Sequence, residues 1–376
     1  MTKAKARTTY FGAALFDGFM TRADLALTVE NGRIAAILPV AGRPRDGEQV
    51  DLGGGVLSPG FIDWQVNGGG GVLFTAEPTP DGIAKIAAAH RAHGTTAILP
   101  TLITDAPQVL TEGLKAAKAA RGKTPGSLGI HVEGPFIDVA RKGVHRPDFI
   151  RPMRPEDVAA LIGAEAGTML VTLAPNIVGL ADIAVLAMAG IIVSLGHSEA
   201  SPEQADAAFG AGARAVTHLF NAMSQMQGRT PGLVGAALAR REIFCGIIAD
   251  GQHVHPASIR AAFAAKGAGG LCLVSDAMPP AAGGADAFAL QGRAIHREDG
   301  RLVDATGALA GAAITMRDAV AYCVEVLGFP LADALTMATS TPARLLGLEG
   351  EIGTLAAGAR ADLVHLGARA ELLGVI

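Results

Sequence analysis

Eight strand-like apolar runs separated by alanine-rich helical segments, with hairpin-like β texture at both ends, predict the fold. It is an α/β (β/α)8 TIM-like barrel carrying a small β-sandwich built from both chain termini. The length of 376 residues suits one large domain plus a smaller one. Half of the residues are hydrophobic but only 4 % are aromatic, so the core must pack small side chains with backbones close together.

Residues 8–56 read as short strands and turns. In LALTVENGRIAAILPV, Asn31-Gly32 falls between two apolar runs, a strong hairpin signal. The barrel runs are Val56–Asn67, Thr96–Leu102, Leu128–Gly134, Met169–Pro175, Ile191–His197, Ala215–Asn221, Phe244–Gly251 and Leu271–Ala277. Helical segments such as Gly82–His93, Pro202–Gly210 and Pro256–Lys266 separate most of them. Near the C-terminus, GTLAAGARADLVHLGA carries a strand-like stretch, Asp362–Leu366. Residues 1–56 and 348–376 are therefore expected to form the small domain, and 57–347 the barrel.

Several function classes are disfavoured. A formal net charge of −4 without a Lys/Arg run gives no reason to expect a nucleic-acid partner. Cys245, Cys272 and Cys323 show no CxxC spacing, so neither a disulfide framework nor a zinc knuckle is expected. The start, MTKAKARTTYFGAALFDGFM, loosely imitates a signal peptide, but Asp17 and Gly18 break its apolar part and no clear cleavage site follows. No uncharged run approaches the ~20 residues of a membrane helix. The expectation is a cytoplasmic protein with no membrane partner.

The chemistry collects at the ends of the runs. They close in DWQVNGGGG, HVEGP, SLGHS, THLFNAM, ADGQHVH and VSDAMPP. The C-terminal face of this fold carries the active site, so Glu133, His197, His218 and Asp276 should converge there. A lone strand-end histidine is more often packed or capping. Four ionisable groups at the ends of one barrel would each need a separate partner if they were only packed. Glu133, His197 and His218 make a three-ligand set for one divalent metal per subunit, with bonds of ~2.0–2.2 Å for zinc. Iron, manganese and cobalt suit the same donors. Asp276 remains open at this point as a fourth ligand, a strand-end cap or a general base. The run Gly68–Gly71 lacks the Lys-Ser/Thr of a P-loop and the spacing of a dinucleotide fingerprint, and reads as a tight loop giving a substrate room.

At these residues the chain resembles the N-acetylglucosamine-6-phosphate deacetylase family of the amidohydrolase superfamily. The matching pieces are PGFIDWQVNGGGG, ILPTLIT, HVEGPF, KGVHRPDFIRP, VTLAPN, SLGHS, THLFNAM, GRTPGLVGAAL, GIIADGQHVHP, LVSDAMPPAAG and LAGAAITM. They occur in the family's order and cover almost the whole chain; THLFNAM followed by GRTPG is specific to that family. The resemblance implies Glu133, His197 and His218 as metal ligands and Asp276 as catalytic acid/base. It implies a sugar-phosphate site lined by Val144, His145, Asn221, Ala222, Arg229, Asp250, Gly251, Gln252, His253, Leu309, Ala310 and Gly311. Arg229 suits bidentate phosphate binding, against the plain alternative of an exposed turn arginine. The resemblance also implies a homodimer in which Arg229 enters the partner's site. One departure stands out: where many amidohydrolases carry His-x-His for a second metal, this chain has Gln65-Val66-Asn67. Amide side chains replace imidazole poorly at a transition-metal site, which favours a single metal. The implied reaction is removal of the N-acetyl group of N-acetylglucosamine 6-phosphate. The rivals are another N-acetyl sugar phosphate, such as N-acetylgalactosamine 6-phosphate, and a non-catalytic sugar-phosphate sensor.

Overall fold

Parallel strands covered on both faces have no solvent side, so they read as unbroken apolar runs. The computed structural model, which describes residues 7–376, shows eight of them in one sheet. Residues 1–6, the basic start of the signal-like segment, lie outside the described residues. The strands are β1 (Phe61–Val66), β2 (Thr95–Ile103), β3 (Gly129–Glu133), β4 (Thr168–Leu173), β5 (Ile192–Leu195), β6 (Ala215–Val216), β7 (Phe244–Ile247) and β8 (Leu271–Leu273). Each pairs in parallel with the next in chain order, and a bridge between Val66 and Ala277 closes β8 onto β1. This is the expected (β/α)8 barrel.

The outer helices start at ordinary caps. Thr79 accepts from the Gly82 amide ahead of Pro80–Arg91, and Ser201 and Gln204 form a capping box ahead of Pro202–Gly210. Among the described residues no helix is long and apolar enough to cross a membrane. The three cysteines are buried and free, and burial pushes the Cys245 and Cys323 thiols up to about 12.

Glycine sets close approaches between neighbouring strands. A Cβ on Gly129 would lie 2.0 Å from the Thr168 carbonyl oxygen, a backbone atom that cannot swing away. Gly129→Ala is therefore expected to part β3 from β4, with a cost of ~1–3 kcal/mol or more. A thermal midpoint several degrees below that of the parent protein checks this.

The structure corrects three details of the strand reading. The run Val56–Asn67 breaks at Gly60, where a Cβ would meet Thr96 Oγ1 at 2.1 Å. Its first half, Val56–Pro59, leaves the barrel and pairs with Leu363–Leu366 and Ala14–Phe16 in a five-stranded sheet. That sheet faces a four-stranded one that includes the Leu25–Glu30/Arg33–Pro39 hairpin, turning at Asn31 (φ 52°) and Gly32 (φ 73°). Leu15, Leu27, Ile34, Leu57, Leu355 and Leu363 pack between the two sheets. Secondly, β5 and β6 stop short of their histidines, for a reason given below. Thirdly, a three-stranded antiparallel sheet, Ala287–Leu290, Arg293–Glu298 and Arg301–Val303, follows β8 and was not read from the sequence. Its Leu290, Ile295 and Leu302 pack on Leu73, Ile103, Val144 and Met278 at the barrel mouth.

Candidate metal centre and active site

The backbone turns sharply where the site begins. His197 (φ 46°), His218 (φ 32°) and Asp276 (φ 49°) follow β5, β6 and β8 in left-handed conformation. A non-glycine residue pays of order 1–3 kcal/mol for such geometry, which persists at sites where surroundings over-determine it. Here it ends each strand early and turns the side chain into the barrel mouth. Glu133 needs no such turn, because it is the last residue of β3 and the break follows at Gly134-Pro135.

The three expected ligands meet. His197 Nε2 lies 3.1 Å and His218 Nε2 3.0 Å from Glu133 Oε1, and the two nitrogens are 3.0 Å apart. All three side chains are buried. His197 donates its Nδ1–H to the Arg141 carbonyl at 2.9 Å, so in the neutral ring Nε2 carries a bare lone pair. A lone pair facing a carboxylate oxygen at that distance is repulsive unless a cation joins them. The donor set therefore fits a divalent metal. A tetrahedral ion with ~2.0–2.2 Å bonds holds its ligand atoms roughly 3.3–3.6 Å apart, so the triangle need open by only a few tenths of an ångström. Burial alone would raise the Glu133 carboxyl, but the two imidazoles packed against it favour its ionised form and hold the carboxyl well below its usual range.

Asp276 stands beside this triangle. Its Oδ1 accepts from Asn67 Nδ2 at 2.6 Å and from Gln65 Nε2 at 3.2 Å. Gln65 Nε2 also reaches Glu133 Oε1 at 3.2 Å. The two amides thus present N–H groups to carboxylates, the opposite polarity to a metal ligand. Burial and the negative charge of Glu133 push the Asp276 carboxyl up to about 6.

These groups open into a cavity of about 390 Å³ lined by Val144, His145, Asn221, Ala222, His253, Leu309 and Gly311 as well as the acidic and imidazole groups. The Thr104 amide points its N–H at His145 Nδ1 (3.4 Å), which places the proton of the neutral ring on Nε2. Burial holds that ring well below the usual histidine range. Asp250 Oδ2 accepts from His253 Nδ1 at 2.7 Å, and its Oδ1 accepts from the Gln252 and His253 amides at 2.8 and 2.9 Å. Asp250 thereby aims His253 at the cavity while standing outside it with Gly251 and Gln252. Ala310 packs in the apolar cluster under the three-stranded sheet. Arg229 is exposed on the 225–230 loop and does not line this cavity.

Sequence reasoning missed Arg141, whose carbonyl holds His197, and Thr104, which orients His145. Arg141 left no signal, since its contribution is a main-chain oxygen. Thr104 follows ILPTLI at the end of β2, a position worth searching for a polar residue.

The amidohydrolase family model matches residues 56–371. The chain belongs to the amidohydrolase family. Within it, the chain is 43% identical to the N-acetylgalactosamine-6-phosphate deacetylase of Shewanella sp. (strain ANA-3), over 84% of this chain and 80% of that relative. It is 35% identical to the N-acetylglucosamine-6-phosphate deacetylase of Haemophilus influenzae, over 94% and 93%. The crystal structure of N-acetylglucosamine-6-phosphate deacetylase from Pasteurella multocida superposes with a TM-score of 0.94 at 36% identity, covering 98% of each chain. An aspartate-to-alanine variant of the Mycobacterium smegmatis enzyme, in complex with N-acetyl-D-glucosamine-6-phosphate, superposes with a TM-score of 0.90 at 34% identity over 100% and 98%.

Proposed function

We propose that the protein hydrolyses the N-acetyl amide of N-acetyl-D-glucosamine 6-phosphate to D-glucosamine 6-phosphate and acetate. One divalent metal, zinc by preference, sits on Glu133, His197 and His218. The observation that carries the reading is that buried triangle of donor atoms, with a carboxylate of raised pKa next to it in a cavity of sugar-phosphate size. A divalent ion there supplies Lewis-acid activation of water and of the acetyl carbonyl. Asp276 takes the proton of the attacking water and returns it to the sugar nitrogen, because an amine leaves only once protonated. His145 Nε2–H and the cavity-facing edge of His253 hold and orient the substrate's polar atoms. A sensor without catalysis would have no use for such a base.

The 43% identity to an N-acetylgalactosamine-6-phosphate deacetylase favours a second reading, in which the C4 epimer is the better substrate. Acetate release from both sugar phosphates tests the two together. The first reading expects the higher kcat/KM on the glucosamine compound, and the reverse order establishes the second.

The phosphate anchor in this reading is Arg229 of a partner subunit in a homodimer, supported by its exposure and distance from its own cavity. Arg229→Ala is expected to raise KM for the phosphorylated sugar by about one to two decades. That matches a charge-assisted hydrogen bond of roughly 1.5–3 kcal/mol. Turnover of an unphosphorylated analogue should be spared, and an equal effect on both substrates makes Arg229 structural. Mixed dimers of Arg229→Ala and Asp276→Asn chains should recover activity, since one of their two sites is then intact. The reading places the enzyme in cytoplasmic amino-sugar catabolism and cell-wall recycling, in keeping with three unpaired cysteines.

A further inference from the structure

Strand β4 contributes no metal ligand, yet its end carries the motif VTLAPN. Asn176, the last residue of that motif, is partly buried behind His197. Its Nδ2 donates to Asp138 Oδ2 at 2.6 Å, and its Oδ1 accepts from Ser198 Oγ at 2.6 Å. Both partners grip His197. The Asp138 amide donates to the His197 carbonyl at 2.9 Å, and Ser198 is the next residue in the chain. Asp138 Oδ1 also caps the short turn 139–141 through the Ala140 amide at 2.9 Å. That turn ends in Arg141, whose carbonyl receives His197 Nδ1–H. The contacts form a closed ring: His197, Arg141, Asp138, Asn176, Ser198 and back to His197.

The ring admits one polarity. Asp138 can only accept, so Asn176 must face it with the amide nitrogen. Ser198 Oγ already accepts from the Ala200 amide at 3.0 Å, so its proton goes to the Asn176 oxygen. A flipped amide would set oxygen against carboxylate.

We propose that Asn176 is a positioning residue for the metal centre, locking Asp138 to Ser198 so that the His197 imidazole keeps its angle and tautomer. The inference rests on His197 being a metal ligand. It extends to a side chain that touches neither metal nor substrate. Outer hydrogen-bond partners of metal-ligating histidines typically carry ~10–100-fold in metal affinity.

The test measures the zinc dissociation constant of the full-length protein by competition with a chromophoric chelator. Asn176→Asp sets two carboxylates against each other and should weaken zinc binding by about 10–100-fold. Combining Asp138→Asn with Asn176→Asp exchanges donor and acceptor across the same contact. This double variant should return affinity to within a few-fold of the parent, which a loss of general stability would not do. Asn176→Ala, which removes both bonds without adding charge, serves if the charged variant fails to fold. His197→Ala separates the two claims. Zinc retained in His197→Ala defeats the ligand assignment itself. Zinc lost there but bound normally by Asn176→Asp or Asn176→Ala overturns the positioning role, as does a double variant that binds zinc no more tightly than Asn176→Asp alone.

Discussion

The His218→Ala protein is expected to lose its divalent metal and, with it, deacetylation above background. His218 Nε2 is one corner of a triangle whose other corners are His197 Nε2 and Glu133 Oε1, and no fourth carboxylate or imidazole joins them among the described residues. Asp276 is committed to Asn67 and Gln65. Losing an outer partner of a ligand costs ~10–100-fold in metal affinity, so losing the ligand should cost more than that. The fold should survive, because the strand before it, β6, ends at Val216 and is held by ladders on both sides. Elemental analysis after gel filtration checks the outcome, and full occupancy in this variant would remove His218 from the ligand set. The metal-free parent should regain activity on adding zinc, while the variant should not.

Asp276→Asn should behave differently, keeping metal and substrate but losing turnover. Asparagine preserves size and much of the hydrogen bonding but cannot take a proton. General acid–base catalysis contributes ~10²–10⁴-fold. One residue here serves both the attack of water and the departure of the amine, so a fall in kcat toward or beyond the upper end is expected. The parent's pH profile carries a second signature. A base must be deprotonated to act, and burial with the charge of Glu133 raises this carboxyl to about 6. A bound cation pulls it down again. Activity should therefore fall on the acid side, with its limb at or below about pH 6, and the residual activity of Asp276→Asn should lack that limb. Loss of metal in Asp276→Asn would make Asp276 a ligand. Near-normal kcat would move the base elsewhere, with His145 and His253 next in line.

The barrel and the convergence of the candidate residues at its mouth were legible for one physical reason. A strand buried on both faces must be apolar throughout, so a charged residue at its end has to point somewhere that tolerates charge. Glu133 at the end of GIHVE and Asp276 after LCLVS stand out on that ground alone. The left-handed turns at His197 and His218 had no sequence signal, since histidine does not announce a positive φ as glycine does. The break at Gly60 was hidden because both halves of the run are apolar, and only the approach of Thr96 separates them. The sheet over the mouth did leave a mark in Asp299-Gly300, which turns at φ 49° and 80° between its last two strands. Gln65 and Asn67 were read as poor metal ligands, but their task as amide donors to Asp276 depends on distances that no spacing encodes. Arg229 is of another kind, for its proposed target belongs to a second chain.

The central claim is that one metal at Glu133, His197 and His218 drives hydrolysis of an N-acetyl amide with Asp276 as the base. Its most direct test titrates zinc into metal-free protein and follows acetate released from N-acetyl-D-glucosamine 6-phosphate. The account predicts no release without metal, a linear rise with added zinc and a plateau at one equivalent per chain. Release that is independent of metal, or that continues to climb to two equivalents, would contradict it.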